Sequence, residues 1–386
     1  MSTPPQKQKD NLFIHQDVLS AISHEGNLGD KLECIHQAMR TQFPFIHRIS
    51  VAMYDPKTDM LKTFIHSSGG AEPLTNYQTK LADSDSLMET LEKGLPRVVN
   101  DISIFRDGRR EHTKRVAREG YASSYTMPMY SNDQFFGFLF INSYDSAPFS
   151  ESVLQRIDPY GHLIILTVIN DLSVLQNLIA AVKTARDFAH ARDGETGAHQ
   201  DRMSRFARLI ARRIANKFQL SDEYIENLFI YSPLHDIGKM TIPDHILLKE
   251  GKLTEEEFRI MQTHAKNGLE LVNHMLENYN VSDIHHIDML RNIASLHHEA
   301  IDGSGYPEGL MGSDIPIEAR IVAAADVFDA LTSKRPYKHA WTNDEAFDTL
   351  KKLASIKLDR DCVNALVNSR KEVEQIQQQF LEDTVD

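Results

Sequence analysis

Cysteine is scarce in this 386-residue sequence, with only Cys34 and Cys362 present. Two thiols so far apart in the sequence give no basis for a disulfide framework or a thiolate metal site. An apolar segment typical of a signal peptide is also missing from residues 1–10, which are polar and rich in proline, glutamine and lysine. We therefore expect a cytoplasmic protein.

Positive charge is in short supply as well. Lys and Arg number 42 against 55 Asp and Glu, which gives a net charge of −13. Because binding to nucleic-acid backbones or membrane surfaces needs a basic footprint, we predict neither polymeric nucleic acid nor membrane as a partner. The longest apolar run, near residues 163–169, is far shorter than the roughly 18 residues of a membrane span. A small anionic ligand could still be held by metal ions and a few basic side chains.

The length suits two domains, and 41% hydrophobic residues provide material for two cores. We divide the chain into an N-terminal tail and helix (1–24), a first domain (25–160), a helical linker (161–192), a second domain (193–370) and a polar C-terminal tail (371–386). Strand patterns are confined to the first domain, whereas the second has helical periodicity throughout. The prediction is an α+β domain, an antiparallel sheet flanked by helices, joined by a long helix to an all-α domain.

The first domain contains a strand-turn-strand pattern at residues 48–65 and a hairpin at residues 125–141. Four positions in and before this hairpin, Ser124, Pro128, Gly137 and Leu139, follow a pattern that resembles GAF sensory domains. The resemblance implies a pocket for an unknown small ligand on one face of the sheet. A domain that only dimerises or packs against its neighbour is the alternative, and no residue singles out a ligand.

The linker carries an apolar seam with alternating steps of three and four residues, a spacing that favours a parallel coiled-coil homodimer. The seam consists of Ile165, Val168, Leu172, Leu175, Ile179, Val182, Arg186 and Ala189. An amphipathic helix packed on its own domain would give the same pattern.

The second domain concentrates imidazole and carboxylate side chains. His235 and Asp236 are adjacent, and Glu195 and His199 are four residues apart and so share a helix face. The pair His297-His298 and a single aspartate, Asp326, follow downstream. Without thiolates, such a set suits iron or manganese at least as well as zinc, and its size implies two or three divalent ions. Paired ions of this kind bind phosphate oxygens and activate water in phosphoester hydrolysis.

Two motifs, His-Asp-Ile-Gly-Lys at 235–239 and His-His-Glu-x-x-Asp-Gly-x-Gly-Tyr-Pro at 297–307, are similar to the double signature of the HD-GYP family over about residues 180–370. This family of bacterial proteins comprises cyclic-dinucleotide phosphodiesterases. The resemblance implies eight metal ligands: Glu195, His199, His235, Asp236, His264, His297, His298 and Asp326. His264 alone would suggest a surface residue. Glu195, within Glu-Thr-Gly-x-His, favours three ions over two unless it stays in solvent.

The resemblance also implies roles in catalysis and substrate binding. Asp236 and Lys239 would be catalytic, with Lys239 stabilising charge on the phosphate or the leaving oxygen. Substrate contacts would come from four residues: Tyr306, Asp329, Arg335 and Lys338. On sequence grounds alone, Arg335 follows Lys334 in a run that is usually a solvated helix end.

The expected activity is metal-dependent hydrolysis of cyclic di-GMP or 3'3'-cyclic GMP-AMP to a linear 5'-phosphorylated dinucleotide, with or without further cleavage to mononucleotides, under control of the sensor domain. One alternative is a catalytically silent cyclic-dinucleotide receptor that signals by contact. Another is an HD-type hydrolase of a different nucleotide, which the intact Gly-Tyr-Pro sequence disfavours.

Overall fold

The computed structural model describes residues 17–22, 27–69, 78–102, 120–188, 197–278, 287–333 and 340–381, with backbone only at 21, 174–179 and 181–188. The first part of the chain forms helix α1 (Leu28–Gln42), strands β1 (Arg48–Asp55), β2 (Met60–Ser67) and β3 (Gln78–Lys80), helix α2 (Asp85–Lys93), strands β4 (Arg97–Val99), β5 (Ser123–Ser131) and β6 (Gln134–Ser143), and the long helix α3 (Glu151–Phe188). A short 3-10 helix, Ser20–Ile22, precedes α1.

The six strands form one antiparallel sheet in the order β3-β2-β1-β6-β5-β4. Between β5 and β6 the chain turns at Asn132 and Asp133, both with positive φ, the geometry that two-residue hairpins favour. Helices α1 and α3 contribute Ile35 and Ile164 to the core on one sheet face. Helix α2 contributes Leu87 to a smaller apolar cluster with Phe138. The predicted α+β architecture is confirmed.

Helix α3 runs from the sheet domain to Phe188, but the start of its apolar seam does not face a partner. Ile165, Val168 and Leu172 are 7%, 1% and 3% exposed and belong to the core beneath the sheet. For these three residues the coiled-coil prediction is wrong, because a helix packed on its own domain shows the same three-four spacing. The first domain therefore extends past residue 160 to at least Leu172.

The second part of the chain is helical in the ranges that the structure describes. Its helices are α4 (Gly197–Phe218), α5 (Asp222–Tyr231), α6 (Asp244–Leu247), α7 (Glu255–Asn278), α8 (Ile287–Leu296), α9 (Ile317–Thr332), α10 (Asn343–Leu353), α11 (Arg360–Val367) and α12 (Arg370–Gln379). A capping box begins α7, since Thr254 and Glu257 exchange backbone-to-side-chain hydrogen bonds. Among the described residues, no helix is both long and apolar enough to cross a bilayer.

The predicted polar C-terminal tail, residues 371–386, is wrong for its first ten residues. Helix α12 packs on α4 and inserts Val373, which is fully buried. The Phe380 carbonyl after it accepts a hydrogen bond of 2.9 Å from Nη1 of Arg202. The composition of this segment is strongly polar, but three apolar residues, Val373, Ile376 and Phe380, are spaced three and four apart and so lie on one helix face. This narrow apolar stripe is enough to pack the helix on α4.

Candidate metal centre

The His-Asp pair lies where α5 gives way to two short 3-10 helices, Ser232–Leu234 and Ile237–Thr241. Gly238 in the second of these packs directly on α7. A Cβ atom at Gly238 would lie 1.9 Å from the carbonyl oxygen of His264, so no larger residue fits. The glycine of the motif thus brings His235 and Asp236 next to the helix that supplies His264.

The imidazoles are oriented by hydrogen bonds on the side away from the centre. Nδ1 of His235 donates to the Ser232 carbonyl at 2.9 Å, and His264 and His297 donate to carbonyls of their own helices at 2.7 and 2.8 Å. A carbonyl can only accept, so Nδ1 carries the proton and Nε2 of the neutral ring presents a lone pair to the centre. This is the tautomer that binds a metal through Nε2.

Seven predicted ligands converge in two adjacent groups, each with donor atoms within 4.8 Å of one another. The groups are Asp236, His264, His297 and His298, and His199, His235 and Asp326. They adjoin where Nε2 of His235 lies 3.1 Å from Oδ2 of Asp236. His264, which sequence pattern alone would place at the surface, is 1% exposed and is part of the first group.

The donor set fits cations. Nε2 of His264 and Nε2 of His297 lie 3.2 and 3.5 Å from Oδ1 of Asp236, yet all three atoms are buried and make no hydrogen bond. Lone pairs facing a carboxylate at this distance repel unless a cation lies between them. Burial lowers the pKa of His297 and, with the neighbouring His297, that of His298, which keeps both rings in the neutral, ligating form.

Lys239, the predicted charge-stabilising residue, lies beside Asp236. Its Nζ lies 2.9 Å from Oδ2 of Asp236, one turn along the 3-10 helix. Burial alone would raise the pKa of Asp236, but Lys239 and His235 outweigh it and hold that pKa well below its usual value. Asp236 is therefore an ionised carboxylate with a lysine beside it.

Asp329 is not a substrate contact, contrary to the prediction. It is fully buried, and its Oδ2 accepts a hydrogen bond of 2.7 Å from Nδ1 of His199. Arg202 donates to both carboxylate oxygens, at 2.7 and 3.0 Å, and Ser333 also donates to Oδ2. Asp329 thus orients His199, one of the predicted metal ligands. In the sequence, His199 and Arg202 are spaced i, i+3, and so are Asp326 and Asp329. These two spacings could have indicated that α4 packs against α9 at this point.

The loop containing Tyr306 is held against the histidines. The Tyr306 ring lies 4.7 Å from that of His298, and its backbone N–H donates to the His298 carbonyl at 3.2 Å. Glu299, to which the sequence assigned no role, accepts hydrogen bonds from the N–H groups of Glu308, Gly309 and Leu310. A buried carboxylate thereby fixes the loop beside the predicted ligands. Burial raises the pKa of Tyr306, which therefore stays a neutral hydroxyl.

Three predicted site residues lie outside the described part of the chain. They are Glu195, the proposed determinant of a third ion, and the two predicted phosphate contacts Arg335 and Lys338.

Comparisons with known proteins agree with this geometry. Residues 174–362 match the family model described as HD domain. The chain is 47% identical over 242 residues to the cyclic di-GMP phosphodiesterase response regulator RpfG of Xanthomonas campestris pv. campestris, covering 60% of this chain and 57% of that protein. It is 44% identical over 160 residues to the 3'3'-cGAMP-specific phosphodiesterase 2 of Vibrio cholerae, covering 42% and 28%.

Among solved structures, the chain resembles the GAF domain of a phosphoenolpyruvate-protein phosphotransferase from Coxiella burnetii. The identity is 13%, the coverage 40% of this chain and 90% of that one, and the TM-score 0.33. The chain spans about half the length of the curated relatives it matches. The helical part of this chain is thus similar to HD domains, and the two motifs that resemble the HD-GYP signature meet there in one centre.

Proposed function

We propose that this protein is a cyclic-dinucleotide phosphodiesterase, with cyclic di-GMP or 3'3'-cyclic GMP-AMP as its substrate. The observation that carries the proposal is the pair of adjacent ligand groups beside the Tyr306 loop. The names of the relatives support the substrate class. We further propose at least two bound ions, iron or manganese, because the donors are imidazole and carboxylate. Glu195 would hold a third.

Ions in these positions would supply Lewis-acid polarisation of the phosphate and lower the pKa of a water molecule. The protein's own groups would do the rest. Asp236 and Asp326 balance positive charge, while Lys239 stabilises charge on the scissile phosphate. Tyr306, a neutral hydroxyl beside His298, would contact the substrate, and Arg335 with Lys338 would hold its second phosphate. The product would be a linear 5'-phosphorylated dinucleotide.

Turnover distinguishes the enzyme from a silent receptor. Protein loaded with iron or manganese is incubated with cyclic di-GMP, cyclic di-AMP and cyclic GMP-AMP, and the products are identified by mass spectrometry. We expect linear dinucleotide from at least one of the three. Tight binding of a cyclic dinucleotide without product in any metal state would support the receptor and contradict the enzyme.

Kinetics of two variants separate charge stabilisation from substrate positioning. Lys239→Ala should mainly lower kcat, by roughly 10²-fold, because the ammonium acts as charge develops in the transition state. Arg335→Ala should mainly raise KM if that residue only positions the second phosphate. Lys252→Ala, a change in the exposed segment before α7, is the control. Equal effects of Lys239→Ala on kcat and KM would contradict its assigned role.

We propose that the protein is a homodimer and that its sensor domain regulates the helical domain through the linker. The contact would use residues 175–189, the part of the seam that follows the sheet-domain core. Leu175→Glu combined with Val182→Glu should give a monomer in light scattering, since each places a carboxylate in an apolar contact. Gln155→Glu with Asn170→Glu, at exposed positions of α3, should remain dimeric. A monomeric wild type at micromolar concentration would refute the dimer.

A further inference from the structure

A cavity of about 200 Å³ lies between the sheet domain and the helical domain, apart from the metal centre. It is bounded by β1 and β2 on one side and by α4 and α5 on the other. Arg208 in its wall follows His199 by nine residues on α4, which places the cavity about 14 Å along the helix from the centre. None of the seven candidate ligands that the structure describes lines it.

The wall contains two cations, Lys62 and Arg208, and two carboxylates, Asp55 and Glu226, and Arg205 outside the wall pairs with one of these carboxylates. Asp55 is paired with Arg205 at 3.1 Å, and Glu226 with Arg208 at 2.5 Å. Among the described residues, no carboxylate forms an ion pair with the remaining cation, Lys62. Arg208, only 5% exposed, also has its Nε and Nη1 buried without a hydrogen bond. An uncompensated buried cation is costly, and an anion from outside would remove that cost.

The rest of the wall is apolar. Met53 and Leu172 contribute from the sheet domain, and Phe229 and Ile230 from α5. The guanidinium of Arg208 stacks 3.3 Å from the Phe229 ring centre, and Lys62 lies 5.9 Å from the same ring. Both cations thus lie against the same aromatic ring.

We propose that this cavity binds a small organic carboxylate, with the carboxylate at Lys62 and Arg208 and an apolar body against Met53, Leu172 and Ile230. A cavity with a few convergent polar groups in an apolar lining is the usual form of a small-molecule site. Because the wall is built from both domains, the ligand would contact the sheet domain and the helix that carries His199. The site is independent of the proposed hydrolytic activity.

The titration of Lys62 would make carboxylate binding in this cavity depend on pH. Burial, with Arg208 nearby, lowers its pKa to about 7. The groups facing it are Asp55 on β1, Glu226 on α5, and Arg208 and Arg212 on α4. Binding of a carboxylate favours the protonated amine, so affinity is greatest below pH 7 and falls as the pH rises through the pKa. Between pH 6 and pH 8 the protonated fraction drops about tenfold.

The test is calorimetric titration of the full chain with benzoate, which stays ionised over this range, and with neutral benzamide as its matched probe. We expect one saturable benzoate site per chain, about tenfold weaker at pH 8 than at pH 6. Lys62→Met keeps the length of the side chain without its charge and should weaken benzoate about tenfold and abolish the pH dependence. Lys93→Met, in an exposed lysine of α2, should change neither.

Three outcomes would overturn the proposal: no saturable benzoate binding, equal binding of benzamide, or an unchanged pH dependence in Lys62→Met. Binding of inorganic phosphate but not of benzoate would also overturn it. Circular dichroism of Lys62→Met establishes that the variant is folded, and Arg208→Lys provides a second variant that retains the charge but loses the stacked guanidinium. It should bind benzoate more weakly and keep the pH dependence.

Discussion

Replacing Asp236 by alanine is expected to remove at least one metal ion per chain and to reduce the proposed phosphodiesterase turnover by roughly 10³-fold or more. Asp236 lies between the two ligand groups, with Oδ1 near His264 and His297 and Oδ2 near His235. The variant removes a ligand and also the negative charge that balances Lys239 at 2.9 Å. The remaining cationic side chain then opposes metal binding.

Metal content is measured by mass spectrometry on protein purified with iron or manganese supplied. Asp288→Ala is the matched control, since this aspartate is 84% exposed on α8 and pairs only with Arg291 among the described residues. It should keep the wild-type metal content. An unchanged content in Asp236→Ala would contradict the assignment, as would a single ion per chain in the wild type.

Much of the candidate metal centre could be predicted because most of its predicted ligands lie within short sequence motifs. His235 with Asp236 and His297 with His298 are adjacent in sequence, so the local chain brings the members of each pair together. The two pairs are brought together by tertiary packing, which short motifs do not encode. Within these motifs, only Gly238 indicates a close contact, because its missing side chain lets α7 approach the 3-10 helix. His264 has no motif of its own, which is why its single-sided polar helix suggested the surface.

The wrong predictions share a physical cause. Residues that pack on their own domain and residues that pack on a partner show the same apolar spacing, as at Ile165 and Leu172. Likewise, a carboxylate near a predicted metal site can contact the substrate, or it can accept a hydrogen bond from the ring nitrogen of a histidine that points away from the metal. The sequence does not distinguish these two roles for Asp329. Val373 shows that one fully buried side chain can anchor a strongly polar helix. In each case the role of the residue depends on the surface that it contacts, and the residues of that surface are distant in the sequence.

Exchange of Asp329 for asparagine is expected to weaken metal binding by 10- to 100-fold, although this residue touches no ion. The carboxylate accepts the Nδ1 proton of His199 and so leaves Nε2 free to ligate. An asparagine amide can instead donate to Nδ1, which stabilises the tautomer with its proton on Nε2. The exchange also removes the charge of Asp329 from beside Arg202, 5% exposed, at a cost of about 3 kcal/mol in the free energy of unfolding.

A double-mutant cycle separates these two effects. Arg202→Met combined with Asp329→Asn also removes the guanidinium that faced Asp329, so the free energy of unfolding in urea should recover by more than half, while metal affinity should stay low because His199 still lacks its carboxylate. Ser333→Ala, which removes one hydrogen bond to Asp329, should cost only about 1 kcal/mol and leave metal affinity nearly unchanged. If metal affinity recovers together with stability in the double variant, Asp329 acts through the packing of α4 against α9 and not by orienting His199.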